Sequence, residues 1–143
     1  MTATMNIEDE AMDERYQKSA RALLAMTKLL FDRGVPILAG TDYFTGFTVL
    51  RELELYAKAG IPTIDVLRIA TLNAAKVVGQ EAKTGSINEG KYADLVLVDG
   101  NPLEDITTLQ KATLVVQGDR VFQPAAIYSA IGVIPFIEGV GLD

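Results

Sequence analysis

The chain has 143 residues, 49% of them hydrophobic and 22% charged, which is one domain's worth of ordinary globular composition and disfavours disorder. It has 0 His, 0 Cys and 0 Trp, so by itself it cannot build a zinc finger, a Ser-His-Asp or Cys-His nucleophile or an imidazole metal cage, and any ion it held alone would rest on oxygen ligands. The net charge of −6 is local: Glu8, Asp9, Glu10, Asp13 and Glu14 carry no base among them, and setting these five aside leaves 14 acids against 13 bases with no basic patch for a nucleic acid.

In chain order, residues 1–8 read as a loose lead-in. They lack the basic and apolar regions of a secretory signal, and the absence of cysteine fits a reducing compartment, so the expectation is a cytoplasmic chain. From 10 to 33, Tyr16, Ala20, Leu23, Leu24, Leu30 and Phe31 form one helical stripe. The acidic cluster lies in or before its first turn, Lys28 and Arg33 lie near its end, and Gly34 is a natural stop. Its acidic polar face argues against membrane binding. Residues 35–39, Val-Pro-Ile-Leu-Ala, are a continuous apolar run that predicts a parallel strand covered on both faces. A second helix is predicted from 48 to 58, ended by Gly60. Thr63 is expected to cap a third helix running through Val77 and ended by Gly79.

After Gly79 the pattern turns β-rich. Residues 84–91 are turn-forming, 93–98 read as a strand and 99–102 as a turn. Residues 113–116 and 121–122 flank Gly118-Asp119 as a hairpin. The most apolar stretch, 125–137, includes Ser129, Gly132 and Pro135 and falls short of the roughly 18–20 residues that span a bilayer. Neither a membrane nor a nucleic-acid partner is expected.

Open parallel sheets and α/β barrels place their sites beyond the C-terminal ends of strands. Asp42 occupies that position after 35–39, where an aspartate also serves as a turn or cap residue. Tyr43 and Phe44 share its rim and are candidate ligand contacts, with packing on a neighbouring loop as the alternative. Glu52 and Glu54, two residues apart, fall on different helix faces and are not a paired acid and base. They are expected to be solvated or ion-paired, Glu54 with Lys58. Ser86 has no histidine partner for nucleophilic work, and Gly85, Gly90 and Gly100 fit no phosphate loop.

Several runs together carry a family likeness. They are Ile37-Leu38-Ala39-Gly40-Thr41-Asp42, Leu50-Arg51-Glu52-Leu53-Glu54-Leu55, Ala59-Gly60-Ile61-Pro62 and Ala70-Thr71-Leu72-Asn73-Ala74-Ala75-Lys76. Gly85-Ser86-Ile87-Asn88-Glu89-Gly90-Lys91-Tyr92-Ala93-Asp94-Leu95-Val96 and Asp99-Gly100-Asn101-Pro102-Leu103 continue the series. Over roughly residues 10 to 135, in this order, the chain resembles the C-terminal part of the amidohydrolase superfamily, in the branch of imidazolonepropionase-like and prolidase-like enzymes. The resemblance implies an α/β fold. Residues 1–79 would be the last units of a (β/α) barrel, 80–124 strands of a composite β-sandwich, and 125–143 a C-terminal tail.

By the same resemblance, Asp42 is the aspartate that ends the last barrel strand. In the family it binds metal and takes a proton from the metal-bound water attacking an amide carbonyl, then passes it to the leaving nitrogen. The family's other ligands are mostly histidines, and this chain has none. The expectation is therefore an incomplete fold, the C-terminal fragment of a hydrolase of carbon–nitrogen bonds that is inactive alone. Zn²⁺ or a similar divalent metal would belong to the full-length enzyme and none to this chain. Its partners would be a small-molecule amide substrate and the missing N-terminal barrel portion. The alternative is a non-catalytic module that self-associates, or binds a partner, through open sheet edges.

Overall fold

The computed structural model describes residues 10–41 and 47–134. Helices α1 (Glu10–Asp32), α2 (Phe47–Lys58), α3 (Thr63–Arg68) and α4 (Ala74–Val77) are followed by strands β1 (Asp94–Val98), β2 (Ala112–Gln117) and β3 (Arg120–Phe122) and by α5 (Pro124–Ala130). Ile69–Asn73 widens into a π turn between α3 and α4, so the third predicted helix is continuous from 63 to 77. The three expected stops hold. After α2, for example, Gly60 N–H bonds the Ala57 carbonyl and Ile61 N–H the Tyr56 carbonyl, the paired closure of a Schellman cap. Gly60 takes φ +95° there, which an L side chain resists.

Thr63 departs from its expected role. Pro62 is the N-cap and makes no side-chain cap bond, and the Thr63 hydroxyl instead donates to the Leu103 carbonyl at 2.6 Å. A proline ahead of the helix brings the fixed φ that suits the entry, which frees the threonine for a longer-range tie. The tail from 125 also begins as a helix, with Pro124 in its first turn. Proline is pre-organised for that position and has no N–H to leave unpaired.

The predicted strand at 35–39 is not a strand. Residues 35–41 carry no regular secondary structure, because a strand exists only by hydrogen-bonding to a neighbour and no other segment pairs with this one among the described residues. The segment still alternates: Ile37 and Ala39 pack against the core, while Leu38 is 42% exposed. That period of two is the signature of extended chain.

Leu53, Tyr56, Ile61, Val66, Ile69 and Ile106 form the core, with Val66 completely covered. Ile106 comes from a 3₁₀ turn, Ile106–Gln110, that precedes β2 and pins the C-terminal segment onto α2 and α3. Asp105 caps that turn. Thr107 bonds its carboxylate through the hydroxyl and then the backbone N–H, which lowers the Asp105 pKa.

The three strands form one antiparallel sheet in the order β1-β2-β3. The β2–β3 pair turns at Gly118-Asp119 with Gln117 opposite Arg120, the two-residue hairpin read from the sequence. The turn-rich run before β1 is tied by Lys91, whose ammonium donates to the carbonyls of Glu81 and Thr84 and to Ser86 Oγ.

Much apolar surface is left open. On α1 only part of the stripe is covered: Leu24, Leu30 and Phe31 are half-buried, while Tyr16 and Leu23 are exposed. Val96 and Leu97 of β1 are also more than half exposed. No described helix is long and apolar enough to cross a membrane.

Candidate functional site

Asp42, Tyr43 and Phe44 lie outside the described residues. What the structure places is the chain that leads into them. Residues 37–41 run beside one stripe of α2. Thr48, Glu52 and Tyr56 stand four residues apart and so share one helix face. Each of them meets the segment. Thr48 and Thr41 share a hydroxyl–hydroxyl bond at 2.8 Å. A Glu52 carboxylate oxygen accepts the Gly40 N–H at 3.1 Å. The Tyr56 hydroxyl donates to the Leu38 carbonyl at 3.0 Å and lies within bonding distance of the other Glu52 oxygen.

Burial gives these contacts weight. Tyr56 is 9% exposed and belongs to the core. Its burial, the bond to Glu52 and the negative charge of Glu52 all push the hydroxyl pKa upward, since each disfavours a second anion there. Neutral tyrosine is therefore favoured by the fold. Above about pH 10 the unfolded chain loses this proton first and binds fewer protons than the native state, so stability falls as pH rises. The contribution is fully present below about pH 10 and is lost at higher pH. Replacing Tyr56 with Phe is expected to flatten that alkaline loss, read as the change in urea midpoint between about pH 9 and about pH 11 by circular dichroism. Equal pH slopes in wild type and variant would contradict it.

The two acids of α2 have separate roles, as their spacing requires. Glu54 pairs with Arg51 and accepts from the Gln110 side-chain amide; its partner is not the expected Lys58. Gln110 arrives from the 3₁₀ turn, a contact between residues 56 apart in sequence that helical spacing does not reveal. Glu52 is half-buried and turned onto the 37–41 segment rather than solvated. The i, i+4 spacing of Glu52 and Tyr56 puts them on one helix face but does not show what that face meets. Ser86 is an acceptor for Lys91 at 2.7 Å and for Asn88 at 2.8 Å, a loop tie and not a nucleophile.

The described residues hold no group of three or more His, Cys, Asp or Glu side chains arranged for a metal. Glu52, the carboxylate beside the segment, already bonds Gly40 and Tyr56. A catalytic ion takes about three protein ligands and an open position, so this donor set does not fit one. A depression of about 380 Å³ lined by Phe31, Val35, Ile37, Ile69 and Lys76 opens at the other end of the segment, near Val35. It is not part of the site at Gly40 and Thr41.

Residues 5–121 match the model of the amidohydrolase family. The chain is 36% identical over 85 residues to the imidazolonepropionase of Caldanaerobacter subterraneus subsp. tengcongensis, covering 56% of this chain and 20% of that enzyme. It is 35% identical over 99 residues to the ochratoxinase of Aspergillus niger, covering 66% of this chain and 21% of the relative. Among solved structures it resembles a Xaa-Pro dipeptidase with methionine bound in its active site. The TM-score is 0.66 at 32% identity, over 70% of this chain and 25% of that one. The chain thus spans about a fifth of the length of the curated relatives it matches.

Proposed function

The chain belongs to the amidohydrolase family, and from that premise we propose that it is the C-terminal part of a metal-dependent hydrolase of carbon–nitrogen bonds, inactive alone. The observation that carries the reading is the ordered match over residues 5–121, which includes the Ile37 to Asp42 run. In this proposal residues 1–79 are the last units of a (β/α) barrel, 80–124 strands of a composite sandwich and 125–143 a tail. Asp42 supplies the carboxylate that takes a proton from the water adding to an amide carbonyl and passes it to the nitrogen that leaves as the C–N bond breaks, and Tyr43 and Phe44 border the substrate. The substrate class is a cyclic amide or a small peptide-like amide. This is the chemistry that the names imidazolonepropionase and Xaa-Pro dipeptidase indicate for those relatives.

With 0 His and 0 Cys, Asp42 is this chain's ligand for Zn²⁺ or a similar divalent ion in this proposal, and the remaining ligands come from another stretch of polypeptide. The open apolar surface supports the same account. Leu23 is 65% exposed and Met26 58% on α1, and Val96 is 54% exposed on β1, apolar side chains that another stretch of polypeptide would cover.

The test is reconstitution. The chain is mixed, with Zn²⁺ present, with the segment of the Caldanaerobacter imidazolonepropionase that precedes the matched region. Hydrolysis of an imidazolone ring or of a Xaa-Pro dipeptide is then followed. Activity is expected from the mixture and from neither part by itself. Hydrolysis by the chain alone would overturn the reading, and so would an inactive mixture that sedimentation shows to be a stable complex. A second copy of the chain covering the same surface would appear in that sedimentation run as a homodimer that excludes the added segment.

A further inference from the structure

We infer that Glu52 and Tyr56 are positioning residues: together they hold the backbone at Leu38 and Gly40 and so set where the chain delivers Asp42, a role that rests on the proposed function of Asp42. Their bonds reach alternate residues of one segment. The Tyr56 hydroxyl donates to the Leu38 carbonyl at 3.0 Å, and Glu52 accepts the Gly40 N–H at 3.1 Å. In extended chain, residues two apart direct their backbone groups to the same edge. The two side chains therefore stand where a sheet neighbour would stand. A strand that lacks its neighbour loses the ladder that defines its path, and these bonds return part of that definition from a helix.

Three features make the pair suited to this. The single Tyr56 hydroxyl proton is shared between the Leu38 carbonyl and Glu52, which couples the two side chains. Tyr56 is a core residue packed with Leu53 and Val66, which anchors the pair to the most covered part of the molecule. The Thr41–Thr48 hydroxyl bond at 2.8 Å adds a third tie from the same helix face, one residue before Asp42. A bond to a carboxylate is also stronger than one between neutral groups. Gly40 is exposed, and without Glu52 its N–H would be satisfied by water, with no fixed direction.

The experiment is residue-resolved amide hydrogen exchange on the full 143-residue chain, comparing wild type with Glu52→Ala, Glu52→Gln and Tyr56→Phe. Exchange at Gly40 is expected to accelerate about tenfold or more in Glu52→Ala, the scale of one charged hydrogen bond. The Leu53 and Ile69 amides are expected to keep their wild-type rates. Glu52→Gln retains an acceptor and is expected to restore most of the Gly40 protection. Tyr56→Phe is expected to give an intermediate rate, because Glu52 loses its bonded neighbour. Unchanged Gly40 exchange in Glu52→Ala would overturn the inference. Equal acceleration at Leu53 and Ile69 would also overturn it, since that pattern is general loosening. No rate here depends on hydrolysis, so failure of this inference leaves the reconstitution result standing, and failed reconstitution leaves these rates as they are.

Discussion

Gly85→Ala is expected to destabilise the chain by about 3 kcal/mol. Gly85 adopts φ +83°, and a Cβ built there would lie 2.7 Å from the Ala75 Cβ, 3.0 Å from the Leu72 Cα and 3.1 Å from the Thr71 carbonyl oxygen. Two costs combine. The left-handed backbone disfavours any L side chain by about 1–2 kcal/mol, and forcing a methyl group into occupied space costs about 1–3 kcal/mol more. The neighbours cannot swing aside, because two of them are backbone of the π turn and the third is a buried alanine. Gly79→Ala is the control. Gly79 also has a positive φ, +67°, yet nothing lies within 4 Å of its added Cβ, so only the backbone cost applies. The measurement is urea unfolding of both variants. If Gly85→Ala loses no more than Gly79→Ala, the close approach of the 84–91 turn to the helix does not exist in solution.

Asp42→Asn is expected to lower the hydrolytic rate of the reconstituted enzyme at least about a hundredfold, the range for loss of a positioned proton carrier. Asparagine keeps the size and the turn chemistry of aspartate but carries no charge and cannot take a proton. Complex formation between the chain and the added N-terminal segment is expected to be unchanged, checked by sedimentation. Substrate affinity is expected to change little, so the loss falls on kcat. A variant that keeps wild-type kcat would remove Asp42 from the chemistry and leave it as a turn residue. A variant that no longer assembles would place its role in the interface instead. The two readouts separate these outcomes.

What could be read from the residues depended on how far each interaction reaches. The Gly60 stop, the Gly118-Asp119 turn and the second helix expected at 48–58 are set within a few residues, and each stands where the pattern places it. The start of α5 is local as well, since Pro124 before an apolar stretch marks a helix entry, although residues 125–143 are expected from the sequence only as a tail. The Glu54 partnership is not local, because Gln110 reaches it only after the chain folds back. Glu52 lay between these cases. Its spacing from Tyr56 placed both on one face, but nothing along α2 says that the face meets the 37–41 segment.

By itself, then, the sequence determined the local elements, the family and the absence of histidine and cysteine, because each is a property of residue types at short range. Residues 35–39 show where that determination ends. Their apolar run and their alternating exposure are those of a strand, yet a strand is made by its neighbour, and no described segment of this chain pairs with them. Only the tertiary structure decided that their backbone turns to the side chains of α2. The physical reason is that backbone hydrogen bonds must be satisfied somewhere, and which group satisfies them is a matter of three-dimensional proximity.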